Sequence, residues 1–79
     1  MPEDYYLVSN LVAVKVNPLL FKENGKEEER GASLEEFLLN VQAASGSRPH
    51  RVSKDLANLY KKGGLYTLYR LEDDRVHQF

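Results

Sequence analysis

The stretch Arg51–Leu71 constrains the fold more than any other part of the chain, because all its local signals agree. Ser53 is placed as an N-cap, its hydroxyl able to accept from an orphan amide of a first helical turn. Asp55 puts a carboxylate at the positive end of the helix dipole, and Lys61 and Lys62 sit at the negative end. Leu56, Leu59 and Tyr60, extended by Val52, have the spacing of a buried helical stripe. Gly63 can take the left-handed conformation that closes a helix, and Gly64 allows a sharp turn. Leu65–Leu71 is then aromatic, aliphatic or β-branched except at Arg70, which predicts a strand.

The face opposite the leucine stripe carries Arg51, Lys54, Asn58 and Lys61, about a turn apart. Such a helix, followed by a glycine stop and a strand, resembles the recognition helix and wing of a winged helix-turn-helix. That resemblance implies lysines and arginines on phosphates and Asn58 on a base edge. Two features depart from it. Gly46–Val52 is too short and too proline-broken for the preceding helix of that fold, and Glu72-Asp73-Asp74 would put three acids at the wing tip.

Residues 51–66 also resemble the helix, paired glycines and strand that close the small CpcD-like linker domain of phycobilisomes. The shared residues are Ser53, Asp55, Leu56, Leu59, Lys61 and Gly63-Gly64. The resemblance implies a linker that caps or joins stacks of pigment proteins. It departs upstream, at Arg48-Pro49-His50 and at the additional helix predicted over Ser33–Ala44.

A chain of 79 residues makes one domain, spanning 1–79, near the size at which a single core becomes marginal. Its 42% hydrophobic content suffices for a modest core. The absence of cysteine excludes disulfides, thiolate metal sites and cysteine nucleophiles. No apolar run has the length of a membrane span, and Met-Pro-Glu-Asp is unlike a signal peptide, so a cytoplasmic, non-membrane protein is expected. Net charge is −1, but it is segregated. Residues 47–70 hold six Lys or Arg against Asp55 alone, a local +5. Residues 22–36 hold six acids against three bases, and 71–79 three acids against Arg75. Segregation of this kind suits oriented encounter with a charged partner.

In chain order, Tyr5–Val16 reads as a first strand, apolar on both faces and interrupted by a bulge or bend at Ser9-Asn10. Pro18 ends the ladder because it has no amide to donate. Leu19-Leu20-Phe21 is read as core filling, with a continuation of the strand or an exposed anchor for a partner as the alternatives. Residues 22–31 form a solvated charged loop around Asn24-Gly25. Ser33-Leu34-Glu35-Glu36 is a capping box. It opens a helix to about Ala44 that buries Leu34, Phe37, Leu38 and Val41, with Leu39 off the edge. Ser45-Gly46-Ser47 stops this helix, and residues 48–51 form an extended basic connector. The chain closes with a hairpin, Leu65–Leu71 and Arg75–Phe79, about a tight turn at Glu72-Asp73-Asp74.

Catalytic and metal chemistry find little support. His50 and His77 lack a partner ligand at helical spacing, and Glu72-Asp73-Asp74 lacks the pattern of a calcium loop. No nucleophile elbow is present. Neither a cofactor nor a metal is expected. Tyr66 and Tyr69 fall on opposite faces of their strand, one for the core and one for solvent, where a tyrosine beside an arginine suits a protein interface.

The expected architecture is α+β in the order β-α-α-β-β, a three-stranded, mainly antiparallel sheet covered by two helices. The expected function is that of a small non-catalytic regulatory, adaptor or inhibitor protein that binds a protein partner. Its binding face would comprise Arg48, Arg51, Lys54, Asn58, Lys61, Lys62, Tyr66, Tyr69 and Arg70. The alternatives are DNA or RNA binding through the 53–62 helix, and an oligomerisation or linker module. The latter would use Leu19, Leu20, Phe21 and Phe79 as its homo-oligomer contact.

Overall fold

The structure, a computed structural model, describes residues 4–21 and 31–79. It is a small α+β domain whose described elements are β1 (Tyr5–Ser9), α1 (Asn10–Leu20), β2 (Ala32–Ser33), α2 (Leu34–Ser45), β3 (His50–Val52), α3 (Lys54–Gly63), β4 (Tyr66–Glu72) and β5 (Arg75–Gln78). The strands form one antiparallel sheet in the order β2-β5-β4-β1-β3. Five strands and three helices replace the three strands and two helices expected. The charged loop expected at 22–31 lies outside the described residues apart from Gly31.

The largest correction concerns the first element. Tyr5–Val16 is not one strand. The chain turns helical after Ser9, whose extended backbone (φ −62°, ψ 148°) makes it the N-cap of α1. Ala13 and Val16 then form a helical i, i+3 pair buried against the sheet, with Val12 and Leu20 packed beside them. Pro18 lies within α1 rather than ending a ladder. Phe21 enters the core, while Leu19 points to solvent.

Downstream, the capping signals hold. The Glu36 amide donates to Ser33 Oγ at 3.1 Å, and α2 buries Phe37 and Val41. Gly46 closes α2 in the left-handed region. The Leu56 amide donates to Ser53 Oγ at 3.4 Å, but the left-handed cap of α3 is Gly64, with Gly63 inside the helix. The connector at 48–51 contributes β3, three residues along the outer side of β1. The β4–β5 hairpin turns through two residues, Asp73 and Asp74, both at positive φ (51° and 60°). This is the conformation a primed two-residue turn demands.

The sheet is covered on both faces. On one, α1 and α2 bury Tyr6, Val8, Tyr69 and Val76 together with Phe37, Val41 and Phe21. Four rings form a continuous line there. Tyr6 lies 5.2 Å from Phe37, Phe37 4.9 Å from Tyr69, and Tyr69 6.0 Å from Phe21, to which it is stacked. On the other face α3 covers Val52 and Leu68, with Tyr5, Leu7 and Phe79 at the margin. Because α2 and α3 lie on opposite faces, they do not form a helix-turn-helix pair. Among the described residues, no helix is long and apolar enough to cross a membrane.

Candidate binding surface

The orientation of α3 sets the candidate surface, and it is not the one its periodicity predicts. The helix rests on the sheet through Ala57, which is fully buried. An alanine lets the helix backbone approach Val52 and Leu68 closely, so the larger residues fall to either side. Leu56, Leu59 and Tyr60 are left 45%, 64% and 40% exposed. The expected buried stripe is therefore an exposed apolar flank.

The two flanks of α3 look in different directions. Lys61 Nζ stands 4.4 Å over the Phe79 ring, which places the Lys54–Asn58–Lys61 flank toward β4 and β5. Tyr60 meets Tyr66 edge to face at 5.3 Å and lines an open groove of about 410 Å³ with Leu7, Pro49 and His50. The apolar flank thus looks toward β3, the edge of the sheet.

The structure divides the nine residues expected to form one face. Lys54, Asn58, Lys61 and Lys62 are exposed on α3. Arg70 pairs with Glu72 at 2.7 Å on the same sheet face. Arg51 pairs with Asp4 at 3.5 Å and lies 5.9 Å over the Tyr6 ring, on the opposite sheet face. Arg48 and Tyr66 line the groove at the other end of α3. Tyr69, expected among the contact residues, is core. It has no exposed surface, and its hydroxyl donates to Asn17 Oδ1.

A second cleft, of about 320 Å³, opens at the N-terminus of α3, where Lys54 and Arg70 stand among Asp4, Asp55 and Glu72. The charges there are mixed. Among the described residues, no group of three metal-ligating side chains converges anywhere.

Beyond α3, the segment that follows it is tied to α1 by Asn10. The Asn10 side-chain amide donates to the Gly64 carbonyl at 2.8 Å, and its oxygen accepts from Thr67 Oγ1 at 2.7 Å. The Asn10 amide donates to the Leu65 carbonyl at 3.3 Å. Leu65, Leu11 and Val14 are left 74%, 81% and 73% exposed. Sequence reasoning does not find Leu11, Val14 and Leu65 as surface residues, because their apolar spacing also fits a strand buried on both faces.

No protein-family model, curated protein or solved structure matches the chain.

Proposed function

We propose that the chain is a small non-catalytic regulatory or adaptor protein that binds a protein partner through the flank of α3 bearing Lys54, Asn58, Lys61 and Lys62. The observation that carries this reading is the charge pattern at the start of that flank, where Lys54 and Arg70 share a cleft with Asp4, Asp55 and Glu72. A phosphate backbone would meet Asp55 and the ion-paired Asp4 and Glu72 there rather than an uninterrupted basic surface, and nucleic-acid affinity depends on phosphate neutralisation. A protein surface can answer both signs. Lys54 and Lys62 have no acidic partner among the described residues, so they remain available to an acidic patch.

The test is affinity capture by the wild type and by Lys54→Glu/Lys61→Glu/Lys62→Glu, alongside titration of both proteins with mixed DNA and RNA at low and moderate salt. A protein captured by the wild type and lost with the triple reversal supports the reading. Nucleic-acid binding that falls steeply with salt and vanishes in the variant overturns it in favour of the alternative use of the same helix.

A further inference from the structure

The two ends of the sheet differ in chemistry. Every acidic side chain of the described residues gathers at the end where β4 turns into β5. Asp4 leads into β1, and Glu72, Asp73 and Asp74 carry β4 through the hairpin turn. Asp55, in the first turn of α3, shares a cleft with Asp4 and Glu72. Glu35 and Glu36 open α2, where the Leu34 amide donates to the Asp74 carbonyl at 3.1 Å. The opposite end, where β1 passes into α1 and α3 into β4, has no acidic side chain among those residues. It carries Lys62 in the last turn of α3, Arg48 beside Ser9 and Tyr66, and Lys15 one turn beyond Leu11 on α1.

The same end projects apolar groups. The Asn10 amide donates to the Leu65 carbonyl at 3.3 Å, so Leu11 and Leu65 flank a single hydrogen bond, and both are largely exposed. Val14 extends the exposed line along α1. Leu11 and Leu65 line neither of the two clefts, whereas the anchors of a protein interface pair with well-packed pockets. Apolar tips ringed by cations, with no carboxylate near them, match the boundary of an anionic bilayer. Tyr60 and Tyr66, edge to face at 5.3 Å beside them, are of the type that favours that boundary.

We infer that this end of the domain docks on an anionic lipid surface. Leu11 and Leu65 enter the boundary between headgroups and acyl chains, while Lys15, Arg48 and Lys62 meet the headgroups. The acidic end faces away, and its repulsion from the surface fixes the orientation of the domain. Docking of this kind needs no membrane-spanning helix.

The experiment is co-sedimentation of the full chain with vesicles of phosphatidylcholine and phosphatidylserine, beside vesicles of phosphatidylcholine alone, at low and moderate salt. The chain is expected to bind the mixed vesicles, less tightly as salt rises, and to leave the neutral ones unbound. Leu11→Ser/Leu65→Ser and Lys15→Glu/Arg48→Glu, each checked for folding by circular dichroism, weaken binding by about tenfold or more. Leu39→Ser, at a comparably exposed leucine midway along α2, leaves it unchanged. On mixed vesicles hydrogen exchange slows over residues 62–66 and stays as it was over 72–75. No binding to mixed vesicles at low salt overturns the proposal. Equal binding to both vesicle types, binding that survives the double serine variant, or protection centred on 72–75 overturns it equally. An acidic protein captured through Leu11 and Leu65, with no vesicle binding, replaces the lipid surface by a protein one. Leu11 and Leu65 lie outside the flank of α3 named under Proposed function, so the double serine variant removes vesicle binding and spares capture of a partner there.

Discussion

The Tyr69 hydroxyl crosses from the central strand β4 to α1 and donates to the Asn17 side-chain oxygen, the polar contact within an otherwise aromatic interface. Burial pushes the Tyr69 pKa from 10.0 up to about 12, with the Asn17 hydrogen bond pulling it partly back. The fold therefore keeps a proton that the unfolded chain releases near 10. The stabilisation is complete below pH 10 and is lost as the pH rises from about 10 toward 12. A shift of this size corresponds to on the order of 2 kcal/mol across that window. Denaturant midpoints measured from neutral to strongly alkaline pH should fall more steeply in the wild type than in Tyr69→Phe. At neutral pH the variant is less stable by about 1–2 kcal/mol, since Asn17 loses its donor.

Gly31 is held against β5. Its backbone is left-handed at φ +69°, and its carbonyl accepts from Arg75 Nη2 at 2.8 Å. A Cβ placed there stands 2.5 Å from the Val76 carbonyl oxygen and 2.9 Å from the His77 ring. Gly31→Ala adds a steric clash to backbone strain, and urea unfolding should show a loss of about 2 kcal/mol or more. Gly46→Ala, with open space around it, should cost only the left-handed strain, about 1 kcal/mol.

The two-residue turn at Asp73-Asp74 places aspartate twice at positive φ. Asn-Gly suits that conformation better, so Asp73→Asn/Asp74→Gly should stabilise the fold by about 0.5–1 kcal/mol in thermal or urea unfolding. The carbonyl at 74, which accepts from the Leu34 amide at 3.1 Å, is retained in the variant.

Asn10 fastens the 64–67 segment through both ends of its side-chain amide. Asn10→Ala removes both bonds at an exposed site where water can replace them. The expected loss is about 1 kcal/mol, with faster exchange at Leu65–Thr67 by hydrogen-exchange mass spectrometry.

Much of the second half of the fold was legible because its punctuation is local. Ser33, Gly46 and Ser53 act through hydrogen bonds and φ angles that need no knowledge of the rest of the chain, whereas the paired glycines mark the end of α3 without saying that Gly64 rather than Gly63 takes the left-handed position. The first element was not. Val12, Val14 and Val16 favour strands, but Ala13 and Val16 fall on one face only on a helix, and tertiary packing decided the matter. The same limit applies to α3. Nothing in a Lys54–Ala57–Lys61 line marks it as the side that meets the sheet, so the leucines were placed inside. β2 and β3, two and three residues long, are too short to leave a periodic signal. The basic residues were found as a set, but their division between two flanks and two sheet faces follows from the rotation of α3 and the register of β3.

The strand order has a consequence for how the chain folds. β1 lies between β4 and β3, both drawn from the second half of the chain. Neither ladder of β1 can form until the chain has passed beyond α2, so the apolar residues of β1 and α1 wait on contacts distant in sequence. Distant pairing of this kind carries a loop-closure cost and should slow folding relative to a helical domain of the same size, which stopped-flow refolding would measure.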